Sequence, residues 1–151
     1  MQLTRAADYA VRVMLHLATL PPDTRVSRDS LATACDAPSH FLSKVLQQLV
    51  RARLIVAHRG PSGGFASAFP TGQVSVLRVV EAIEGPIVLN ACMTDGAGCS
   101  RQGWCPAHTV WLEAQTALTQ VLANASIGRL AAQAESPGDS PRQERVLYPW
   151  S

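Results

Sequence analysis

The sequence predicts a mainly α fold: a winged helix-turn-helix domain with a small β-hairpin wing, followed by a cysteine loop and a long C-terminal helix. Three observations carry this prediction. The tight turn Asp36-Ala37-Pro38 separates two short helical patterns, as in a helix-turn-helix. Two short β runs then flank a tip rich in Gly and Pro at 59–64. Finally, three cysteines precede an apolar helical pattern that begins near residue 107.

The N-terminal part predicts three helices. Thr4 is placed to cap a first helix of about fifteen residues, which Pro21 ends. Ser27 caps a short second helix, where Val26 and Leu31 have the spacing of a hydrophobic staple. A third helix opens at Pro38 or Ser39. Its core positions recur at helical spacing: Phe41 or Leu42, Val45, Leu46 and Leu49.

The rest of the chain predicts a hairpin and three further helices. The β runs cover 54–56 and 65–69, and Ser75 caps a fourth helix that stops at Gly85. The inner face of that helix is expected at Leu77, Val80 and Ile83. A long helix runs from about residue 107 to 124, and a short one follows Ser126. The long helix has apolar residues at three-to-four spacing: Val110, Trp111, Ala114, Leu118, Val121 and Leu122. From Ser136 onward the composition predicts a disordered tail.

Length and hydropathy limit the class of protein. A chain of 151 residues forms one domain with appendages. No stretch approaches the ~20 apolar residues of a membrane span, and the first residues lack a signal-peptide apolar region. We therefore expect no membrane partner, a cytoplasmic location and reduced thiols. The sequence also carries no nucleophile–base set, P-loop or paired acids, so we expect that it is not an enzyme.

Charge is distributed unevenly along the chain. The first 60 residues hold eight basic and four acidic side chains, whereas the remainder holds five and seven. A basic N-terminal part beside an acidic remainder indicates a polyanionic partner. By charge alone, an ordinary solvated surface is equally compatible with this pattern.

The outward face of the third helix predicts contact with a double-stranded DNA operator. A single helix fits the major groove, and polar side chains near its N-terminus reach base edges. A basic hairpin tip suits the minor groove. The base-facing candidates are Ser39, His40, Ser43 and Lys44, the wing candidates are Arg59, Gly60 and Gly63, and the phosphate candidates are Arg28, Arg51 and Arg53. Each residue alone also fits a solvated surface, so the prediction depends on their combination.

The cysteine loop predicts a metal or cluster site. Cys92, Cys99 and Cys105 lie in a polar segment, and His108 follows three residues after the last of them. Three thiolates and an imidazole suit iron–sulfur, zinc or copper(I). By contrast Cys35, alone among apolar helix residues, is expected to be a small buried hydrophobe.

Other uses of these cysteines stay open. An electron-transfer site of the ferredoxin type needs four cysteines, and this loop has three. Structural zinc accepts three cysteines and one histidine, although finger-type sites usually pair ligands at closer spacing. A metal-free regulator that senses by thiol oxidation is a further alternative.

Several motifs together resemble the Rrf2 family of bacterial iron–sulfur transcription regulators. The opening residues 1–4 with Asp8-Tyr9-Ala10 resemble the family's first helix, and 59–65 (Arg-Gly-Pro-Ser-Gly-Gly-Phe) resembles its wing signature. The segment 75–84 resembles its fourth helix, and the three cysteines match its cluster loop. The resemblance covers about residues 1 to 132.

The resemblance implies an iron–sulfur cluster as cofactor and a homodimer built largely by the long helix. Cys92, Cys99 and Cys105 would be thiolate ligands. For the fourth ligand the family offers two solutions: His108, in the pattern that binds [2Fe–2S], or Asp8 from the other subunit, in the pattern that binds [4Fe–4S]. The sequence favours His108 and [2Fe–2S].

The same resemblance implies a transcriptional regulator, most simply a repressor, that senses nitric oxide, redox state or iron and cluster status. The predicted elements divide the chain into four parts. A DNA-binding domain covers 1–85, a cluster loop 86–106, dimerisation helices 107–134, and a tail 135–151.

Overall fold

The winged helix-turn-helix is present in a computed structural model that describes residues 3–94, 99–101 and 103–134. Its three helices are α1 (Arg5–Ala18), α2 (Arg28–Ala34) and α3 (Ser39–Arg51). The predicted caps are confirmed: the Thr4 hydroxyl accepts from the Ala7 N–H at 3.4 Å, and the Ser27 hydroxyl accepts from the Ser30 N–H at 3.1 Å. Asp36 takes φ +49° in the turn between α2 and α3.

The later elements follow in the predicted order. They are β1 (Ile55–His58), β2 (Gly64–Ser67), α4 (Val76–Glu84), α5 (Pro106–Asn124) and α6 (Ile127–Ala134), with short 3₁₀ helices at Thr71–Gln73 and Ala91–Met93. The two strands pair antiparallel, from Ile55 opposite Ser67 to His58 opposite Gly64. The second β run was predicted to continue to Phe69, which is wrong because pairing ends at Ser67. The tail predicted from Ser136 lies outside the described residues.

The core lies between α1, α3, α4 and α6. Leu42, rather than Phe41, is the buried residue at the start of α3. Phe41 instead packs edge-to-face against Tyr9 of α1, with ring centroids 5.7 Å apart. Burial of the apolar stripes of α1 and α3 against one another supplies the main driving force for this arrangement.

The inner face of α4 differs from the prediction. Val79 and Val80 are buried, whereas Leu77 is only half-buried, so its predicted place in the core is wrong. Apolar residues occupy most positions of this helix, and its orientation is set by packing against α1 and α3. Gly85 ends α4 at φ +79°, as predicted.

After α5 the chain returns to the core. The Val76 N–H donates to the Ala125 carbonyl and the Ile127 N–H to the Val74 carbonyl, both at 2.8 Å. Ile127 is fully buried among the residues of the helix-turn-helix core. The helix α5 is therefore held at both ends, by the cysteine loop before it and by α6 after it. Among the described helices, none is long and apolar enough to cross a membrane.

Candidate DNA interface and cysteine site

The outward face of α3 carries the predicted base-reading side chains. Because Leu42, Val45, Leu46 and Leu49 point into the core, the opposite side of the helix is left to solvent. His40, Lys44 and Arg51 are exposed there, and Ser39 and Ser43 are half-buried. The Ser43 hydroxyl donates to the Ser39 carbonyl at 3.1 Å, within the helix. The structure thus brings the α3 candidates together on one surface.

Two of the candidate DNA contacts, Arg28 and Ser39, are hydrogen-bonded to Asp29. Arg28 forms an ion pair with Asp29, with Nε 3.1 Å from Oδ1. The Ser39 hydroxyl donates to the same Asp29 oxygen at 3.2 Å. These two hydrogen bonds, from Arg28 first and then Ser39, lower the pKa of Asp29. Sequence reasoning had not given Asp29 any role.

The wing tip owes its shape to three glycines. A Cβ on Gly63 would lie 2.4 Å from the His58 carbonyl oxygen, and one on Gly64 would lie 2.6 Å from the Val26 carbonyl oxygen. Gly60 adopts φ +104°, a conformation that other residues rarely take. The tip, including exposed Arg59, is therefore a tight turn, closed by the Gly63 N–H donating to the Gly60 carbonyl at 2.9 Å.

The wing is also joined to the helix-turn-helix. Val26 and Phe65 exchange both backbone hydrogen bonds, at 2.9 and 2.8 Å, so β2 pairs with the residue just before the cap of α2. Gly60 and Gly63 were predicted as DNA-binding residues of the wing, and in the structure they shape its backbone. Gly64 belongs to the wing signature but was not among the predicted site residues, and it permits the Val26 contact. The wing signature could have identified it.

The three predicted thiolate ligands lie around the start of α5. Cys92 is half-buried in the 3₁₀ helix Ala91–Met93, Cys99 is exposed, and half-buried Cys105 occupies the N-cap position of α5. All three are free thiols. Cys35 is buried as predicted, and burial raises the pKa of its thiol, with Arg12 acting in the opposite sense.

His108 lies in the first turn of α5, where its N–H donates to the Cys105 carbonyl at 3.0 Å. Its side-chain Nδ1 is buried and has no hydrogen-bond partner among the described residues. A buried polar atom without a partner costs about 1–3 kcal/mol. This nitrogen is therefore suited to a partner outside the described residues, such as a metal.

Asp8 lies in the first turn of α1 and pairs with Arg12, with Oδ2 2.8 Å from Nη2. Arg12 also donates to the Cys35 carbonyl at 3.3 Å, and its guanidinium lies 5.7 Å from the centroid of the Tyr9 ring. Asp8 is thus connected through Arg12 to the end of α2. A ligand role for Asp8 would use Oδ1 beside this ion pair, or would displace Arg12 from Oδ2.

Within the described ranges, no three His, Cys, Asp or Glu side chains are grouped closely enough to hold a metal ion. The single chain therefore does not assemble the predicted ligand set, although the donor types fit an iron–sulfur cluster. Three free thiols and a buried unpaired imidazole nitrogen are the soft and borderline donors that such a group takes.

The N-terminal part of the cysteine loop is attached to neighbouring helices. The Leu89 N–H donates to the side-chain carbonyl of Gln115 in α5 at 3.1 Å. Just upstream, Glu84 at the end of α4 accepts hydrogen bonds from the backbone N–H and the hydroxyl of Thr4. The loop is therefore linked to α5 and, through α4, to the N-terminus of α1.

The helix α5 has two apolar faces. Leu118 and Leu122 are half-buried and face the rest of the chain, on the side of His108 and Gln115. Val110 and Val121 are exposed by 59% and 67% of their surface. At helical spacing between them lie exposed Ala114 and Ala117, which complete an outer apolar stripe. The apolar residues of α5 were predicted correctly, but they divide between these two faces.

A family model described as Rrf2, iron-dependent transcriptional regulator, matches residues 3–133. A Mycobacterium tuberculosis protein described as an HTH-type transcriptional regulator is 40% identical over 87 residues, 58% of this chain and 54% of that protein. The chain thus spans about half the length of that relative. The HTH-type transcriptional regulator IscR of Cronobacter sakazakii is 28% identical over 148 residues, 98% of this chain and 91% of that protein.

Solved structures share the fold. CymR, the global cysteine regulator of B. subtilis, superposes with a TM-score of 0.72 at 20% identity, covering 88% of this chain and 98% of that one. IscR of T. potens superposes with a TM-score of 0.74 at 19% identity, covering 93% of each chain. With the wing, the helix-turn-helix and the cysteine loop in the order that the sequence predicted, the chain belongs to the Rrf2 family of transcriptional regulators.

Proposed function

We propose that this transcriptional regulator controls its DNA affinity through an iron–sulfur cluster bound by Cys92, Cys99 and Cys105, with His108 as the favoured fourth ligand. The observation that carries the proposal is the pairing of three free loop thiols with a buried His108 nitrogen that lacks a partner among the described residues. When bound, the cluster would supply a centre that reacts with nitric oxide or oxygen, or loses iron.

The ligand set itself supports a sensing role. A site with three thiolates and one other donor has a more exchangeable position than a site with four cysteines. Cys99 is exposed, and it lies in the middle of the loop rather than on a helix. Loss of its metal bond would free the loop between its two attachments at Leu89 and Cys105.

The proposal includes a homodimer formed through the outer stripe of α5. Val110, Ala114, Ala117 and Val121 recur at spacings of four, three and four residues, which is the pattern of a helix-pairing seam. The small side chains in the middle allow two helices to approach closely. Rrf2 regulators bind DNA and are typically dimeric, which supports this arrangement.

A change in the loop would reach the DNA-reading surface through two contacts. Gln115 attaches the loop to α5, so rearrangement of the loop alters how α5 meets its partner. Glu84 joins the end of α4 to the start of α1, which packs against α3. In a dimer both recognition helices must enter successive major grooves, and a change in their separation therefore alters affinity.

The proposal assigns DNA contacts to the exposed surface of α3 and to the wing. Lys44 and His40 would reach base edges together with Ser39 and Ser43, and Arg59 would enter the minor groove. Arg28 and Arg51 would contact phosphates. Residues 1–85 would thus form the DNA-binding domain, 86–106 the cluster loop, and 107–134 the dimerisation helices.

The experiment compares His108→Ala and Asp8→Ala with wild type, each purified without air. Iron content and native mass identify the cluster, and visible absorbance follows its loss. We expect His108→Ala to strip or destabilise a [2Fe–2S] cluster and Asp8→Ala to leave it in place. The reverse result, with the mass of a [4Fe–4S] cluster, would identify Asp8 as the fourth ligand. Wild-type protein without iron or visible absorbance would contradict the proposal that it binds a cluster.

A second candidate function is a metal-free or zinc-bound regulator that senses through thiol oxidation. The exposure of Cys99 favours it, because thiol oxidation requires access to the sulfur atom. Metal analysis distinguishes the three forms: iron with sulfide supports the cluster, zinc at one per chain supports a structural site, and neither metal supports thiol sensing.

A further inference from the structure

We infer that Asp29 is a specificity-determining carboxylate, which competes with DNA phosphates for two donors at the start of the recognition helix. The inference rests on the proposed role of α3 in binding DNA. It concerns a residue outside the predicted DNA contacts and is independent of any cluster.

The geometry places one carboxylate oxygen between two donors. Asp29 Oδ1 accepts from Arg28 Nε at 3.1 Å and from the Ser39 hydroxyl at 3.2 Å. Arg28 and Asp29 belong to the first turn of α2, and Ser39 is the first residue of α3. The carboxylate therefore lies at the corner where the two helices of the helix-turn-helix meet.

The N-terminus of α3 makes this corner attractive to anions. Pro38 occupies the N-cap position and forms no side-chain cap hydrogen bond, so the first N–H groups of α3 lack a side-chain cap there. Helix N-termini stabilise negative charge, and Arg28 adds a full positive charge nearby. In the free protein the Asp29 carboxylate accepts from Arg28 and from the Ser39 hydroxyl at this corner, and these hydrogen bonds lower its pKa.

Competition follows from the chemistry of the donors. Arg28 and the Ser39 hydroxyl are typical phosphate contacts. The single hydroxyl hydrogen of Ser39 and the Nε–H of Arg28 each bond either Asp29 or a DNA phosphate, and the Asp29 charge offsets the attraction of Arg28 for a phosphate. The remaining charge of Asp29 also repels an approaching phosphate. Because an exposed ion pair is weak, this competition lowers DNA affinity without abolishing it.

The effect is greatest for DNA of arbitrary sequence. Nearly all the affinity of such a complex comes from phosphate contacts, whereas an operator adds contacts to base edges. A carboxylate that withholds one phosphate contact therefore removes a larger share of the non-specific affinity. Asp29 thereby increases the fraction of regulator available for its operator.

The test compares Asp29→Asn with Asp36→Asn in the full-length protein. Both substitutions raise the net charge by one unit on the same helix-turn-helix, and asparagine tolerates the positive φ of Asp36. The structure records hydrogen bonds to Arg28 and Ser39 only for Asp29 among these two carboxylates. The probe is a mixed-sequence DNA duplex of about 30 base pairs, titrated between about 50 and 200 mM salt.

We expect Asp29→Asn to tighten binding to this duplex by about twofold to fivefold and to steepen the salt slope by about 0.9, because Arg28 gains a phosphate contact. Asp36→Asn should change affinity by less than about twofold and leave the slope unchanged. In an Arg28→Ala background the change of slope on Asp29→Asn should disappear. Unfolding midpoints measured alongside identify any variant whose fold has changed.

Two results would overturn the inference. Equal effects of Asp29→Asn and Asp36→Asn would indicate general electrostatics, and weaker binding by Asp29→Asn would mean that the carboxylate itself contacts DNA. A different result would show that α3 does not contact DNA: Lys44→Ala would then leave affinity for the duplex unchanged. The inference about Asp29 would then be wrong as well.

Discussion

The DNA-reading part and the segment from the cysteine loop through α5 differ in how many of their apolar and polar groups are buried or bonded within the chain. Residues 3–85 supply most of the buried core, with capped helices and a wing joined to the start of α2. Between residues 86 and 124, by contrast, Ile87 is the one buried side chain among those described. This second segment carries an exposed apolar stripe, three free thiols and a buried His108 nitrogen without a hydrogen-bond partner among the described residues.

The difference indicates which functions need a second component. The helix-turn-helix has its geometry before DNA arrives, as a reading surface requires. The loop and α5 carry groups without partners among the described residues: apolar side chains suited to another helix, and sulfur and nitrogen donors suited to a metal. We therefore expect substitutions in the first part to alter the fold or the DNA contacts, and substitutions in the second part to alter dimerisation or cluster binding.

The largest effect is expected at the outer stripe of α5. Val121→Glu would place a carboxylate in the proposed helix–helix interface, where an unpaired buried charge costs about 3–5 kcal/mol. Analytical ultracentrifugation should show a monomer, and operator affinity should fall by at least about 100-fold because two linked recognition helices are needed. Gln120→Glu adds the same charge one residue earlier, on the exposed polar side of the helix, and should remain dimeric. A dimeric Val121→Glu protein would contradict the proposed interface.

The next effect concerns the fold of the DNA-reading part. Gly64→Ala should lower the free energy of unfolding by about 2–4 kcal/mol, because its Cβ would meet the Val26 backbone and its φ of +154° is unfavourable for alanine. Denaturant titration measures the change. Gly72→Ala is the control, since its Cβ would meet nothing within 4 Å. Equal stability of the two variants would mean that the Val26–Phe65 pairing contributes little.

A smaller effect is expected on the exposed surface of α3. Lys44→Ala should weaken operator binding by about 1–3 kcal/mol if Lys44 reaches a base edge, and relax selectivity at one base position. Fluorescence anisotropy with a selected operator and its single-base variants provides the measurement. Arg5→Ala removes the same charge from the start of α1 and should leave selectivity intact. Loss of affinity without any change of selectivity would make Lys44 a phosphate contact instead.

The smallest effect concerns the attachment of the loop. Gln115→Ala removes the acceptor of the Leu89 N–H, which should cost about 1 kcal/mol locally. Amide exchange at Leu89 should accelerate, and iron should be lost faster from the loaded protein. Gln120→Ala, in the same helix, is the control. Unchanged exchange at Leu89 would remove this contact from the proposed route between loop and α5.

Local signals predicted most of the fold, because their causes lie within a few residues. Thr4 and Ser27 cap the helices that follow them, and the glycine spacing of the wing encodes its turn. Where apolar residues were crowded, as at Leu77 and Val79, only packing against α1 and α3 selected the buried one. Contacts between residues distant in sequence were not predicted, because they too depend on tertiary packing. Examples are the hydrogen bonds of Glu84 with Thr4 and the burial of Ile127 in the core.

The candidate sites follow a similar division. The outward face of α3 follows from its apolar periodicity: His40, Lys44 and Arg51 are exposed there, whereas Ser39 and Ser43 are half-buried. The engagement of Ser39 by Asp29 was not predicted, because it joins two helices across the turn. The apolar positions of α5 follow from its residue pattern, whereas their separation into two faces was not predicted, since that separation depends on how the helix lies against α4.

The central claim is that the loop cysteines control DNA binding through a bound cluster. The most direct measurement records operator affinity and visible absorbance together while a chelator or nitric oxide removes the cluster from anaerobically purified protein. We expect both signals to change in parallel in wild type and in Cys35→Ala, and the absorbance to be absent when Cys92, Cys99 and Cys105 are replaced by serine. Operator affinity that stays constant while the absorbance disappears would contradict the account.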